Sequence, residues 1–156
     1  MKRLSLLLAT MLATFSFTFT LFSYAAEDKV SANGELNGFV VIQLKDMAWD
    51  ESSDRVQTKI LQGNPAEEGL YIMRIRFPAG SSSSPHSHSQ DRFITVIEGT
   101  WYAGTDASHD MDKVVTIPAG GFMKHPAGAV HYDGAKETAV VVEIRGMGPV
   151  TTTRAE

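Results

Sequence analysis

The chain reads as an all-β domain, an antiparallel sandwich or jelly-roll barrel, on three observations. Short runs rich in β-branched and aromatic residues recur at close spacing, Gly and Pro punctuate them, and no segment combines sustained helical periodicity with capping residues. Phe39 to Leu44, between Gly38 and Lys45-Asp46, reads as a first strand, and Val56 to Leu61, closed by Gly63-Asn64-Pro65, as a second. Leu70 to Phe77 is a third. Its alternation places Tyr71, Met73, Ile75 and Phe77 on one face and Arg74 and Arg76 on the other. Ser81 to Ser84, between Gly80 and Pro85, is a loop, and Thr105 to Lys113 is a polar, Asp-rich one. Phe93 to Ile97, Thr100 to Ala103, Val114 to Ile117, Gly121 to His125 and Thr138 to Ile144 supply the remaining strands.

The 156 residues suit one domain, preceded by a segment that does not belong to it. Met1-Lys2-Arg3 is basic, Leu4 to Phe22 is apolar, and Ser23-Tyr24-Ala25 offers small residues at the −3 and −1 positions of a cleavage site. That is the layout of a secretory signal peptide, residues 1–25, and it predicts a periplasmic or secreted protein. An uncleaved anchor is the competing reading, weakened by the Thr and Ser residues within the run. After cleavage no stable membrane association is expected. Residues 26–37 read as a loose lead and 38–150 as the folded domain.

Losing Lys2 and Arg3 leaves 12 basic against 18 acidic residues, a formal charge of −6, with no basic stripe. Nucleic acid is therefore not an expected partner. Cysteine is absent, which excludes disulfides, thiolate metal sites and a cysteine nucleophile.

The chemistry-bearing residues are histidines. His86 and His88 are two apart, so on a strand their imidazoles share one face and form a two-nitrogen chelate for a divalent transition metal. A third nitrogen must come from elsewhere, and His131, past the Pro126-Ala-Gly128 turn, is the best placed to supply it. His125, just before Pro126, is a candidate acid/base group, while a half-buried strand end is its plainer reading. His109 lies in the Asp-rich loop and is expected to face solvent. Tyr71, Trp101, Tyr102 and Phe122 are candidates for a pocket wall, although strand aromatics more often fill a core.

These residues resemble the cupin family. Gly80, five residues, His86-Ser-His88, three residues, Arg92, six residues and Gly99 follow the spacing of its first motif. Gly120, five residues, Pro126-Ala-Gly128, two residues and His131 follow the second, with Ala135 where Asn is expected. The resemblance spans about Leu70 to Ile144. It implies a cupin-type jelly roll with a metal (Fe, Mn, Ni, Cu or Zn) in the barrel mouth, held by His86, His88 and His131. The fold's habit of pairing sheets edge to edge suggests a homodimer.

The family's fourth ligand is Glu, and Arg92 stands in its place. Four residues beyond His88, it has the same inward parity. A guanidinium ~5 Å from a dication is repelled by roughly 6–7 kcal/mol at an effective dielectric near 20. Arg92 must turn away, pair with an acid or face a bound anion; a structural ion pair and substrate binding are both open to it. Gln90 is a further candidate oxygen ligand, while parity disfavours Asp91. Lys124 and Asp133 are too generic to assign. Arg74 and Arg76 form either a paired, solvated face or an anion-capturing one.

A three-histidine site short of its carboxylate favours anionic ligands. The arrangement resembles that of cupins with three-histidine iron, such as diketone- and thiol-cleaving dioxygenases, and the resemblance implies a dioxygenase-like oxidoreductase acting on a small anionic or enolisable molecule, with Arg92, Tyr71 and Phe122 binding it. The alternatives are a non-catalytic metal- or ligand-binding or sensing module, and a metal-dependent isomerase or epimerase using His125 or Tyr71 as base.

Overall fold

The structure, a computed structural model, describes residues 34–155; the expected signal peptide and residues 26–33 of the lead lie outside them. Two antiparallel β layers enclose one core. The first has five strands in the order β3 (Gln57–Gln62), β4 (Gly69–Phe77), β11 (Val140–Gly148), β6 (Arg92–Glu98) and β9 (Phe122–His125). The second joins β10 (Tyr132–Gly134), β7 (Thr100–Gly104) and β8 (Val115–Pro118), and beside it lies the pair β12 (Thr152–Arg154) and β5 (His86–His88). Two isolated antiparallel bridges, Ser82 to Gly134 and His86 to His131, fasten the β5 segment to β10 and complete this wall of the barrel.

At the N-terminal end, β1 (Gly34–Leu36) and β2 (Phe39–Val41) form a hairpin around Asn37-Gly38. Both turn residues have positive φ, as a two-residue turn between twisted strands requires. The expected strand at Phe39 to Leu44 thus stops at Val41. A 3₁₀ turn over Leu44–Met47 follows, tucking Met47 under the Arg74 guanidinium.

Between the layers lie Tyr71, Phe77, Ile94, Val96, Trp101, Ala103, Ile117, Val140, Val142 and Ile144. The alternation of β4 holds: Tyr71, Met73, Ile75 and Phe77 face inward, while Arg74 and Arg76 lie on the outer face. There Glu143, opposite Arg74 in register, accepts from Arg74 Nε at 3.0 Å and from Arg145 Nε at 3.1 Å, and Arg76 contacts Glu51. The two arginines are therefore paired and do not form an anion site.

Gly99 reverses the chain between β6 and β7 at φ +75°, and a Cβ there would lie 2.5 Å from the Ala139 carbonyl oxygen. Both constraints exclude a side chain. Gly99→Ala is expected to destabilise the fold by at least about 2 kcal/mol, read from the denaturant midpoint. For Glu143, burial raises its pKa, but the bonds from Arg145 and Arg74 outweigh it and hold the carboxyl below its ordinary value of 4.5. Stability from this group is complete above that ordinary value and is lost as pH falls through the lowered one. Glu143→Gln is expected to cost about 1–2 kcal/mol near neutral pH. It is also expected to flatten the acid limb of stability against pH, measured by urea unfolding.

Candidate metal centre and its pocket

Backbone pairing brings the three histidines together. His86 N donates to His131 O and His131 N donates to His86 O, both at 2.9 Å, so the two motifs sit side by side. The turn that delivers His131 is held from three sides. Gly128 N donates to His88 O at 2.8 Å, Ala129 N to Pro126 O at 3.1 Å, and Ala127 N to the Asp91 carboxylate at 2.8 Å. Asp91 is in turn paired with Lys124 at 2.6 Å, which gives both residues a role in the turn.

The ring centroids of His86, His88 and His131 lie 4.8, 4.4 and 5.2 Å apart, and the Nε2 atoms of His86 and His88 are separated by 3.1 Å. Two nitrogens bound about 2.0–2.1 Å from one ion at 90–109° stand about 2.9–3.4 Å apart, so this spacing fits a shared metal. Each Nδ1 is occupied elsewhere: His86 at Ser84 O (2.7 Å), His131 at Ala129 O (3.0 Å) and His88 at Thr152 Oγ1 (3.0 Å). A carbonyl can only accept, so His86 and His131 carry Nδ1–H and turn the lone pair of Nε2 to the common point. The buried Nε2 of His131 has no protein partner, as a metal-facing nitrogen requires. By donor set and spacing the triad fits a divalent transition metal.

Arg92 is inward and buried, on the face of β6 that also turns Ile94 and Val96 inward, and its Nη1 contacts His88 Nε2 while its Nε has no partner. The guanidinium thus lies against one of the lone pairs a metal needs. Burial pulls its pKa down, and Tyr71 and Asp133 partly restore it. Asp133, too generic to assign from sequence, is a site residue. It is buried in the same pocket, its backbone N donates to Ser83 Oγ at 3.0 Å, and burial pushes its carboxyl up to about 6 against the pull of His86 and Arg92. Its signal was parity: it lies two residues beyond His131.

His125 closes β9 opposite Arg92 in register, 3.8 Å from the His131 ring and 5.5 Å from that of Trp101. Both its ring nitrogens are buried without partners. Burial, then the neighbouring His131 and Arg92, brings its pKa down to about 2. Burial and Arg92 take His88 to about 3, and burial above all takes His131 to about 4. These three imidazoles are neutral near pH 7, the form that binds metal or accepts a proton. His125, His131 and Asp133 also bring ligating atoms within 4.8 Å of one another.

The cavity holds about 440 Å³. Tyr71, His86, His88, Arg92, Trp101, His125 and Asp133 form its polar wall, and Met73, Ile75, Phe77, Ile94, Val142 and Ile144 its apolar one. Two expected site residues lie elsewhere. Phe122 is 60% exposed, because with His125 and Met123 directed inward the alternation of β9 turns positions 122 and 124 outward. Gln90 is exposed and borders a separate surface depression with Asp91 and Phe93; the chain leaves the strand after His88, so inward parity does not carry through it. Neither is a wall or a ligand. Tyr102 packs under Lys136 outside the cavity, and exposed His109 meets Ser82 Oγ at 3.0 Å.

A family model described as the ChrR cupin-like domain matches residues 37–150. No curated protein matches. Among solved structures, the polyketide cyclase RemF from Streptomyces resistomycificus is 14% identical, with 65% of this chain and 71% of that one covered and a TM-score of 0.56. A cupin-like protein from Thermotoga maritima is 17% identical over 66% and 79%, with a TM-score of 0.55. The DMSP lyase DddQ from Ruegeria pomeroyi is 18% identical over 65% and 51%, with a TM-score of 0.53. At such identities the likeness is one of fold, and it agrees with the jelly roll. With nearly three-quarters of its length matched, the chain belongs to the ChrR cupin-like domain family.

Proposed function

We propose that the protein is an exported, metal-dependent cupin enzyme acting on a small anionic or enolisable molecule, of the dioxygenase type. The observation that carries this reading is the convergence of ligating atoms from His86, His88 and His131, with the His86 and His88 rings and the buried Arg92 guanidinium facing one cavity. A redox-active divalent metal held by His86, His88 and His131 supplies Lewis acidity and a path for dioxygen chemistry.

The chain's own residues do the rest. Arg92 carries the fixed positive charge that draws a carboxylate or enolate into the cavity. For a metal to take the His88 lone pair, Arg92 has to swing off it, and Asp133 offers the nearby negative charge that accepts it. His125, neutral and without partners, is placed to hydrogen-bond bound substrate, and so is the Tyr71 hydroxyl, buried without a partner. The apolar wall limits water around the reacting groups. The basic start, apolar run and Ser23-Tyr24-Ala25 support export to the periplasm or beyond.

A second reading, non-oxidative proton transfer in an isomerase- or lyase-type reaction, is favoured by the two free nitrogens of His125 beside Asp133. Structures named as a polyketide cyclase and a DMSP lyase share the fold, which supports small-molecule chemistry of either kind.

Elemental analysis of native protein from the exported fraction is expected to give one transition metal per chain, and the His86→Ala/His88→Ala double variant almost none. Equal metal in both would sink the three-histidine reading. Oxygen uptake by iron-loaded protein with β-diketones or thiols supports the dioxygenase; turnover without oxygen, abolished by His125→Gln with metal retained, supports proton transfer. Arg92→Met removes the repulsion and is expected to tighten metal binding about tenfold or more while raising KM for anionic substrates. Weaker metal binding in that variant, by titration calorimetry, contradicts the role given to Arg92.

A further inference from the structure

His86 and His131 are each oriented by a carbonyl two residues earlier in their own segments, Ser84 O and Ala129 O. His88 has no such provision, because the carbonyl two residues before it, His86 O, is engaged by His131 N. Its Nδ1 instead meets Thr152 Oγ1 at 3.0 Å, on β12. That strand pairs antiparallel with β5, Thr152 lying directly across from His88. Around the contact, Ser89 N donates to Thr151 O (3.0 Å), Thr151 N to Ser89 Oγ (2.9 Å) and Ala155 N to Pro85 O (3.0 Å). Val150 and Thr152 line the same cavity as the histidines. Thr152 also lies beyond residues 37–150, the span that matches the family.

We propose that Thr152 is a positioning residue for the metal centre: its hydroxyl accepts from His88 Nδ1–H and so keeps the lone pair of His88 Nε2 facing the metal. The C-terminal strand is thereby a working wall of the site. The contact matters most at His88, because there Arg92 Nη1 competes for Nε2. A ring free to rotate or to protonate at Nε2 would yield its place in the triad. Thr152 is exposed and its substitution removes no core packing, so its effect is separable from folding.

The inference rests on the three-histidine reading, and the test separates the two. Full-length protein is titrated with Co²⁺, followed by visible absorption, for wild type, Thr152→Val and Thr152→Ser. Valine keeps the β-branched shape and removes the hydroxyl; serine keeps the hydroxyl. The expected result is Co²⁺ affinity about 10–100-fold weaker in Thr152→Val and within about threefold of wild type in Thr152→Ser. Apo thermal midpoints should be equal in all three. In ¹⁵N–¹H imidazole correlation spectra of the apo proteins, Nδ1–H of His88 should be present in wild type and Thr152→Ser and lost in Thr152→Val. Wild-type binding with unchanged affinity in Thr152→Val overturns the role of Thr152 alone. Equal loss in both variants with a lowered apo midpoint also overturns it, marking the strand as merely structural. Absence of Co²⁺ binding by wild type overturns the three-histidine reading and this inference together.

Discussion

Two backbone hydrogen bonds, exchanged between His86 and His131, hold the site together. They join a loop-borne segment after β4 to the turn after β9, regions separated by 45 positions in the chain. Without that bridge the imidazoles of His86 and His88 would stand on a short strand tied to the second motif only through Gly128 N and the neighbouring Ser82 to Gly134 bridge. With it, β5 becomes part of a continuous wall, and three rings meet within about one ring's diameter of contact. Backbone pairing is insensitive to side-chain identity, so the convergence is imposed by the fold before any metal is considered.

What the site can do then depends on charge. A buried guanidinium against an imidazole nitrogen is stable only where the imidazole stays neutral and some negative charge lies within reach. Burial together with Arg92 secures the first at His88, and Asp133 supplies the second. Asp133 is itself costly to ionise at full burial, and Arg92 and His86 offset that cost. Asp133 and Arg92 are interdependent: removing Asp133 would take away negative charge that favours the guanidinium, and removing Arg92 would let burial push the Asp133 carboxyl further up.

Much of this was legible in the sequence. The alternation of β4, the His-x-His pair and the Pro126-Ala-Gly128 turn each point to a local geometry that period and turn chemistry determine directly. Asp133 escapes assignment because a lone Asp carries no pattern; only its two-residue offset from His131 marks it, and that offset has force only if β10 continues the line of the bridge. Phe122 went the other way. His125 and Met123 share inward parity, which turns Phe122 out, but an aromatic at the head of a strand invites assignment to a pocket. Gln90 failed through the break after His88: parity is a property of one strand and does not survive a bend. The pairing of β12 with β5 was not read from the sequence: Thr151 to Thr153 is β-branched, but so short a run without apolar alternation marks neither a face nor a partner edge.

The exchange of carboxylate for guanidinium at position 92 is the feature that separates this site from one that simply holds a metal. A glutamate there would cancel part of a dication's charge and close the coordination sphere. Arg92 instead adds positive charge beside three neutral ligands, so any metal bound is held less tightly and is a stronger attractor of anions. On the reading proposed above, a small anion lying beside both a bound metal and the guanidinium would offset the charge of each. Occupancy by metal and by ligand should therefore be mutually reinforcing, since each lowers the electrostatic cost of the other. The cavity is polar on the histidine side and apolar on the other, the lining that such a ligand would need on this reading.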